Sequence, residues 1–295
     1  MNFQRMKRQG YFYNLTMALL LSAGFANANT MVKRDSTGLP GDNFSLEGAL
    51  ELFRKAGSPE EFEKMINSED NKVNNLDLNG DGEIDYIKVV DHNEKNVHAF
   101  VLQAAISETE NQDIAVIEVE KTADNNAVVQ IVGDEDIYGE ETIIEPKEDV
   151  KVNAGTTTTN MIVNAWAWPS VQYVYTPAYR VWISPFAWSI RPVWWRPWRP
   201  VRYSVFYPYR APYRHHYAIV RTNRIAYAPR IYRPIRTTSV IVRTRHQPAV
   251  TNYRATKTTT TMHRGGREVT RKSTTVRGPR GNRVTRKSTK VKRRS

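Results

Sequence analysis

Acidic and basic residues occupy separate parts of this chain, and the separation limits what each part can fold into. Residues 31–150 hold 29 Asp and Glu against 10 Lys and Arg, a balance of −19. Residues 151–295 hold 30 Lys and Arg against one acid, Glu268, a balance of +29. Arg5, Lys7 and Arg8 complete the net charge of +13. A chain divided in this way is an acidic module followed by a basic region built on other rules. Only the acidic block carries Leu, Ile, Val and Phe in the regular periods that build a core. The basic block is suited to polyanions.

The first 28 residues read as a secretory signal peptide. Arg5, Lys7 and Arg8 form the positive start, residues 15–25 (LTMALLLSAGF) the apolar centre, and Ala26-Asn27-Ala28 the small residues before a cut after Ala28. The apolar run falls short of the roughly 20 residues that span a bilayer. The expected location is therefore outside the cytoplasm, in the periplasm, outer membrane or cell surface. Without cysteine there is no lipid-modified cysteine, disulfide, cysteine zinc site or thiol nucleophile. Stability must come from packing or from a bound ion.

Residues 29–43 read as a linker and 44–152 as an acidic α+β domain. Ser45 caps a first helix with Leu46, Ala49, Leu50 and Phe53 on one stripe. Ser58-Pro59-Glu60-Glu61 starts a second helix, with Ser58 and Glu61 in a capping box and Pro59 at the first helical position. Four strands follow, at residues 83–91, 96–106, 112–122 and 126–133. Links this short exclude parallel pairing, which needs long crossovers. The expectation is two N-terminal helices packed on a four-stranded antiparallel meander. That order resembles β-lactamase-inhibitor-protein-like and small outer-membrane assembly lipoprotein folds, a likeness that carries no function.

Residues 153–165 read as a hinge and 166–236 as a Trp/Tyr/Arg/Pro-rich segment. All seven tryptophans lie between Trp166 and Trp198, interrupted by Pro169, Pro177, Pro185, Pro192 and Pro197. Prolines at this density argue against helices and central strands and predict a largely irregular, extended chain. Residues 237–295 form a basic low-complexity tail. Its Val-Thr-Arg-Lys-Ser-Thr unit occurs at 269–274 and again 15 residues on, at 284–289. Gly265-Gly266 and residues 278–282 are turn signals. With no apolar face to hold a hairpin, the tail is expected to be disordered.

Three motifs carry candidate chemistry. Residues 77–85 (DLNGDGEID) place oxygen side chains at positions 1, 3, 5 and 9, glycine at 6 and an apolar residue at 8, the pattern of a calcium loop. Asp77, Asn79, Asp81 and Asp85, with the Glu83 carbonyl, are the candidate ligands of a structural calcium. Position 12 is Lys88 where an EF-hand has Glu, and a strand pattern follows the loop. The alternative is a metal-free Asx-rich turn.

The second motif is the aromatic–arginine run, represented by Trp194, Trp195, Arg196, Trp198 and Arg199. It suits a bilayer interface, or stacking on sugars or bases with cation–π support. It equally suits a structural wrap over the acidic domain. The third is the tail, where Arg271, Lys272, Arg286 and Lys287 would hold a polyanion by counterion release. Lipopolysaccharide, anionic lipid, acidic polysaccharide and extracellular DNA are the candidates, without specific nucleic-acid reading. None of the six histidines stands in a recognisable order with a carboxylate or serine, so no catalytic role is assigned.

Residues 76–86 (LDLNGDGEIDY), 133–140 (GDEDIYGE), 194–200 (WWRPWRP) and the repeated tail unit together resemble a family of uncharacterised exported proteins of the Bacteroidota. The resemblance implies export and this architecture, and no activity. The function read from the sequence is a non-enzymatic envelope or surface protein. Its acidic domain is calcium-stabilised, and its basic half binds an anionic polymer or membrane. The alternative is a calcium-dependent structural or interaction module with the basic half folded back on the acidic domain.

Overall fold

The computed structural model describes residues 36–147, 162–264, 267–280 and 282–293. The signal peptide, residues 29–35 of the linker and residues 153–161 of the hinge lie outside them. Ser45 opens α1 (Leu46–Lys55) by accepting the Gly48 N–H at 3.0 Å, and Ser58 opens α2 (Pro59–Ile66) by accepting the Glu61 N–H at 3.1 Å. These bonds satisfy amide groups that a helix start otherwise leaves without partners.

The strands are β1 (Ile87–Glu94), β2 (Val97–Ala105), β3 (Asn111–Ala123) and β4 (Asn126–Gly133). After the short helix α3 (Glu135–Tyr138) the chain adds β5 (Thr142–Pro146). The Pro-rich half contributes α4 (Pro169–Val174), α5 (Tyr203–Phe206), α6 (Ala211–Arg214), β6 (Tyr217–Val220) and α7 (Ala228–Tyr232). The molecule is mixed α and β, with one antiparallel sheet of six strands in the order β1 to β6. The expected four-strand meander is its first part. β5 lies in the acidic domain beyond the four expected strands, and β6 in the segment expected to be irregular. Both are too short to announce themselves; β5 pairs with β4, Ile144 opposite Ile131, and β6 adds to β5, Ile219 opposite Ile144.

Alternation on the strands shows why the sheet needs two covers. Phe100, Leu102, Ile117, Val119, Val129 and Ile131 face α1 and α2, where Phe53 meets Phe62 and Phe100 with ring centroids 5.3 and 5.2 Å apart. Ala99, Val101 and Val116 face the other way and are covered by Tyr232 of α7. Trp168, Val171, Val174 and Tyr217 join the same core as α1 and α2. The Pro-rich segment is therefore part of the acidic domain's fold, although, as expected, less than half of it lies in helices and strands and 175–202 holds none.

Its prolines start helices instead of preventing them. Pro169, Pro212 and Pro229 sit in the first turns of α4, α6 and α7, where the missing N–H costs nothing. Residues 182–184 cover the open edge of β1: Asp91 N–H donates to Trp182 O at 2.8 Å and Ser184 N–H to Val89 O at 3.1 Å. Buried Glu63 of α2 pins this edge. It accepts from Tyr86 O–H, Val89 N–H, Trp182 Nε1 and Ser184 Oγ at 2.7–3.2 Å.

The tail is ordered, against expectation. Helix α8 (Val240–Arg254) runs through Pro248 and leads into β7 (Ala255–Arg264), β8 (Arg267–Arg277) and β9 (Arg283–Arg293), an antiparallel sheet. Non-local contacts fix α8. Glu110 accepts from Ser239 Oγ and from Ile241 N–H at its start. Arg254 donates to Gly139 O at 2.6 Å and Glu135 O at 2.9 Å at its end.

Candidate calcium loop and polyanion-binding sheet

The 77–85 loop is wound as its glycines allow. Gly80 and Gly82 have φ of 74° and 87°, a region costly to other residues. Asp77 draws the turn together, its Oδ1 accepting the Gly80 N–H at 2.7 Å and its Oδ2 the Gly82 N–H at 3.1 Å. Asn79 Oδ1 accepts from Asp81 N–H, and Asp81 Oδ1 from Glu83 N–H. Asp85 is buried, its Oδ2 taking the Leu78 N–H at 2.6 Å. Burial pushes its carboxyl up to about 8, and the charges of Asp77 and Asp81 add to the push. Lys88, at the twelfth position, lies within β1, so a strand follows the loop.

Among the described residues no three His, Asp or Glu side chains converge as a metal cluster. The oxygens that fit calcium are those of an open, weak site: Asp77, Asn79 and Asp81 on the exposed loop, with the Glu83 carbonyl. Asp85 faces the core beneath them. The loop's own pattern does not report what packs outside it. Arg245 Nη1 donates to Asn79 O at 3.1 Å, and His246 Nε2 lies 3.2 Å from Leu78 O. α8 is thereby strapped across the loop.

The aromatic run is mostly consumed by packing. Trp195 is only 4 % exposed and meets Tyr86 edge-on at 5.1 Å. Arg191 lies over the Trp195 ring at 4.9 Å and the Trp188 ring at 5.0 Å. Trp198 is half-buried, and its carbonyl accepts from Ile84 N–H at 2.9 Å. Trp195 and Trp198 are thus unsuited to the surface role expected of them. Of the seven tryptophans Trp194 alone is exposed, at 44 %, with Lys64 above its ring. Arg196 and Arg199 are exposed; Arg196 donates to Trp195 O at 2.8 Å.

Arginines of the second half also pair with acids of the first. Arg210 meets Glu47 at 3.1 Å, Arg224 meets Glu145 at 2.7 Å, and Arg236 reaches Asp134 and Asp136 at 2.8 and 2.9 Å. Burial works against the Arg236 charge, but hydrogen bonding to Asp134 and the charges of Asp134, Glu135 and Asp136 outweigh it and keep the guanidinium protonated. A cavity of about 210 Å³ beside these groups is walled by the already paired Arg233, Arg236, Asp134 and Glu141.

The tail sheet is arranged differently. Its repeats pair with each other: Arg271 lies opposite Thr289, Lys272 opposite Ser288, Ser273 opposite Lys287 and Thr274 opposite Arg286. Every cation of the repeated unit faces a hydroxyl residue on the neighbouring strand, so within the repeats directly opposed cations are avoided, whereas Arg277 and Arg283 at the hairpin end stand opposite each other. Arg271, Lys272, Arg286 and Lys287 are exposed and make no ion pair among the described residues. The sequence expectation of a disordered tail missed the sheet that orders these cations.

The sheet is tied to the body at one end. Arg277 pairs with Glu140 at 3.5 Å and lies over the Tyr253 ring at 5.6 Å, while Glu141 N–H donates to Pro279 O at 2.7 Å. One histidine also acquires a partner that sequence order hid. Register brings His98 Nδ1 to 2.9 Å from Asp91 Oδ2, which also accepts from Tyr179 O–H at 2.8 Å. His98 and Asp91 are buried, with His98 among Phe100, Tyr175 and Tyr179. The trio joins the aromatic segment to β1 and β2. Compared with models of known families, with curated proteins and with solved structures, the chain finds no match.

Proposed function

We propose that this is a non-enzymatic exported protein of the cell envelope or surface that binds an anionic polymer through the β7–β9 sheet. The observation that supports it best is the register of the two repeats. It holds Arg271, Lys272, Arg286 and Lys287 exposed and unpaired, each beside a hydroxyl. A cation and a hydroxyl side by side suit a phosphate or sulfate oxygen, with charge from one and a hydrogen bond from the other. No Phe, Tyr or Trp follows Tyr253, so the sheet lacks the large rings on which bases stack. Binding on this reading is set by charge and indifferent to base sequence. A polymer is favoured over a bilayer because the tryptophans suited to a membrane interface are largely packed.

The fold-back alternative is favoured by a separate observation, the Arg210–Glu47, Arg224–Glu145 and Arg236–Asp134 pairs. The two readings apply to different stretches. Residues 162–254 complete the domain, and 255–293 meet the ligand. Calcium in the 77–85 loop would stabilise the domain. Export and the Bacteroidota resemblance belong to the same reading.

The test is the salt dependence of binding of the full chain to long-chain polyphosphate. Each cation that releases a counterion contributes about 0.7–0.9 to the slope of log affinity against log salt. Arg271→Ser, Lys272→Ser, Arg286→Ser and Lys287→Ser in one variant should lower the slope by about 3. An unchanged slope would place the binding elsewhere, and no binding at low salt would end the polyanion reading.

A further inference from the structure

Successive residues on a strand point to opposite faces. Arg271 and Lys272 are successive and both exposed, and so are Arg286 and Lys287. Neither face of the β8–β9 ribbon is therefore covered at these positions. The register sorts the cations evenly. Arg271, Arg283 and Lys287 share one face, and Lys272, Arg286 and Lys290 share the other. All six are exposed. A sheet that packs buries at least one face, and the six-stranded sheet buries both. This one leaves cations exposed on two faces; its described ties to the body lie at α8, Pro279 and Arg277, which shares the Arg271 face and stands opposite Arg283.

We propose that the β7–β9 sheet is a bridge: each face takes a separate chain bearing phosphate or sulfate groups, so that one molecule joins two polyanions. The inference rests on the polyanion reading above and adds a geometric requirement to it. The backbone of the sheet separates the two rows of cations. An extended anionic chain lying along one row leaves the other row free for a second chain. Strand residues two apart are about 7 Å apart along the sheet; the row of Lys290, Lys272 and Arg286 advances by that step throughout, and the row of Arg271, Lys287 and Arg283 by one such step and then two. The hydroxyls opposite the cations accompany each row: Ser273 and Thr289 on the first face, Thr274 and Ser288 on the second.

The experiment mixes two pools of long-chain polyphosphate, one carrying a donor dye and the other an acceptor, with the full-length protein at low salt. Energy transfer should rise as protein is added and fall again in excess, when every chain is separately coated. Two variants remove equal charge: Arg271→Ser with Arg283→Ser and Lys287→Ser, and Lys272→Ser with Arg286→Ser and Lys290→Ser. Each should still bind a single labelled chain and lose the transfer signal. A third variant, Arg271→Ser with Lys272→Ser and Arg286→Ser, removes the same charge but leaves cations on both faces, and should retain transfer. Repeating the series with dextran sulfate tells phosphate from sulfate as the preferred anionic group.

Transfer that persists in both one-face variants would mean that bridging comes from self-association or total charge, and would overturn the proposal. Binding by the unaltered protein without transfer would mean that a single chain wraps both faces, and would overturn it too while leaving the polyanion reading intact. Absence of binding in every case would overturn both.

Discussion

Glu118 sits in the middle of β3, directly opposite Gln130 of β4, on the sheet face that the second half covers. Its Oε2 accepts from Gln130 Nε2 and from Asn223 Nδ2, and its Oε1 has no partner. Burial pushes the carboxyl up to about 8 from the ordinary 4.5, and the bonds from Gln130 and Asn223 only partly offset it. Between these two values the folded chain holds a proton that the unfolded chain releases, so stability falls as pH rises through this window. Glu118→Gln keeps the shape and removes the titration. We predict that it raises the melting temperature at pH 8, changes it little near pH 5, and flattens the fall between them. Thermal melts followed by circular dichroism test this, and parallel pH profiles for the two proteins would refute it. Glu51 has the opposite sign. Burial raises its carboxyl, but Arg54, Tyr217 and Lys55 outweigh that and hold it near 2. Its contribution is present above pH 4.5 and lost as pH falls toward 2.

The elements that could be read from sequence are those specified by neighbours in the chain. Ser45 and Ser58 cap helices through residues three positions on, and the β1–β4 hairpins need only short links. β6 and α8 depend on partners more than 70 residues away, such as Ile144 for Ile219 and Glu110 for Ser239, and local pattern does not report such partners. One signal was available. β2 is buried along nearly its whole length, and a strand without a polar alternate announces that both sheet faces are covered. The tail sheet was missed because strands are recognised by apolar alternation. Its strands carry paired cations followed by paired hydroxyls instead, at 271–274 and 286–289. The calcium loop was legible as a pattern, while Arg245 and His246 against it were not. Calcium binding to the folded state alone raises its stability by mass action. We predict a higher melting temperature for the full chain in millimolar calcium than in chelator, and loss of the difference in Asp81→Ala. Equal melting temperatures would leave an Asx-rich turn that holds no metal.

At the scale of the whole molecule the split of charge has two different uses, and they separate by partner. Arg210, Arg224, Arg233, Arg236, Arg245 and Arg254 are spent on carboxylates and carbonyls of the first half. The cations of the repeats beyond them make no ion pair among the described residues. Removing one positive charge should therefore have opposite consequences in the two places. Arg236 is mostly buried and bridges Asp134, Glu135 and Asp136 at distances up to 3.5 Å. Arg236→Ala leaves buried Asp134 without its counter-charge, a loss of roughly 3–5 kcal/mol for pairs of this kind. Arg271→Ser removes an exposed guanidinium with no ion pair, and surface changes of this kind stay within about 0.5 kcal/mol. We predict that Arg236→Ala lowers the urea midpoint of the full chain markedly and leaves the salt slope of polyphosphate binding unchanged wherever the variant is folded. Arg271→Ser should leave the midpoint in place and reduce the slope by about 0.7–0.9. If both substitutions moved the midpoint alike, the tail sheet would be held by the same electrostatic contacts as the wrap, and its cations would not be free for a ligand.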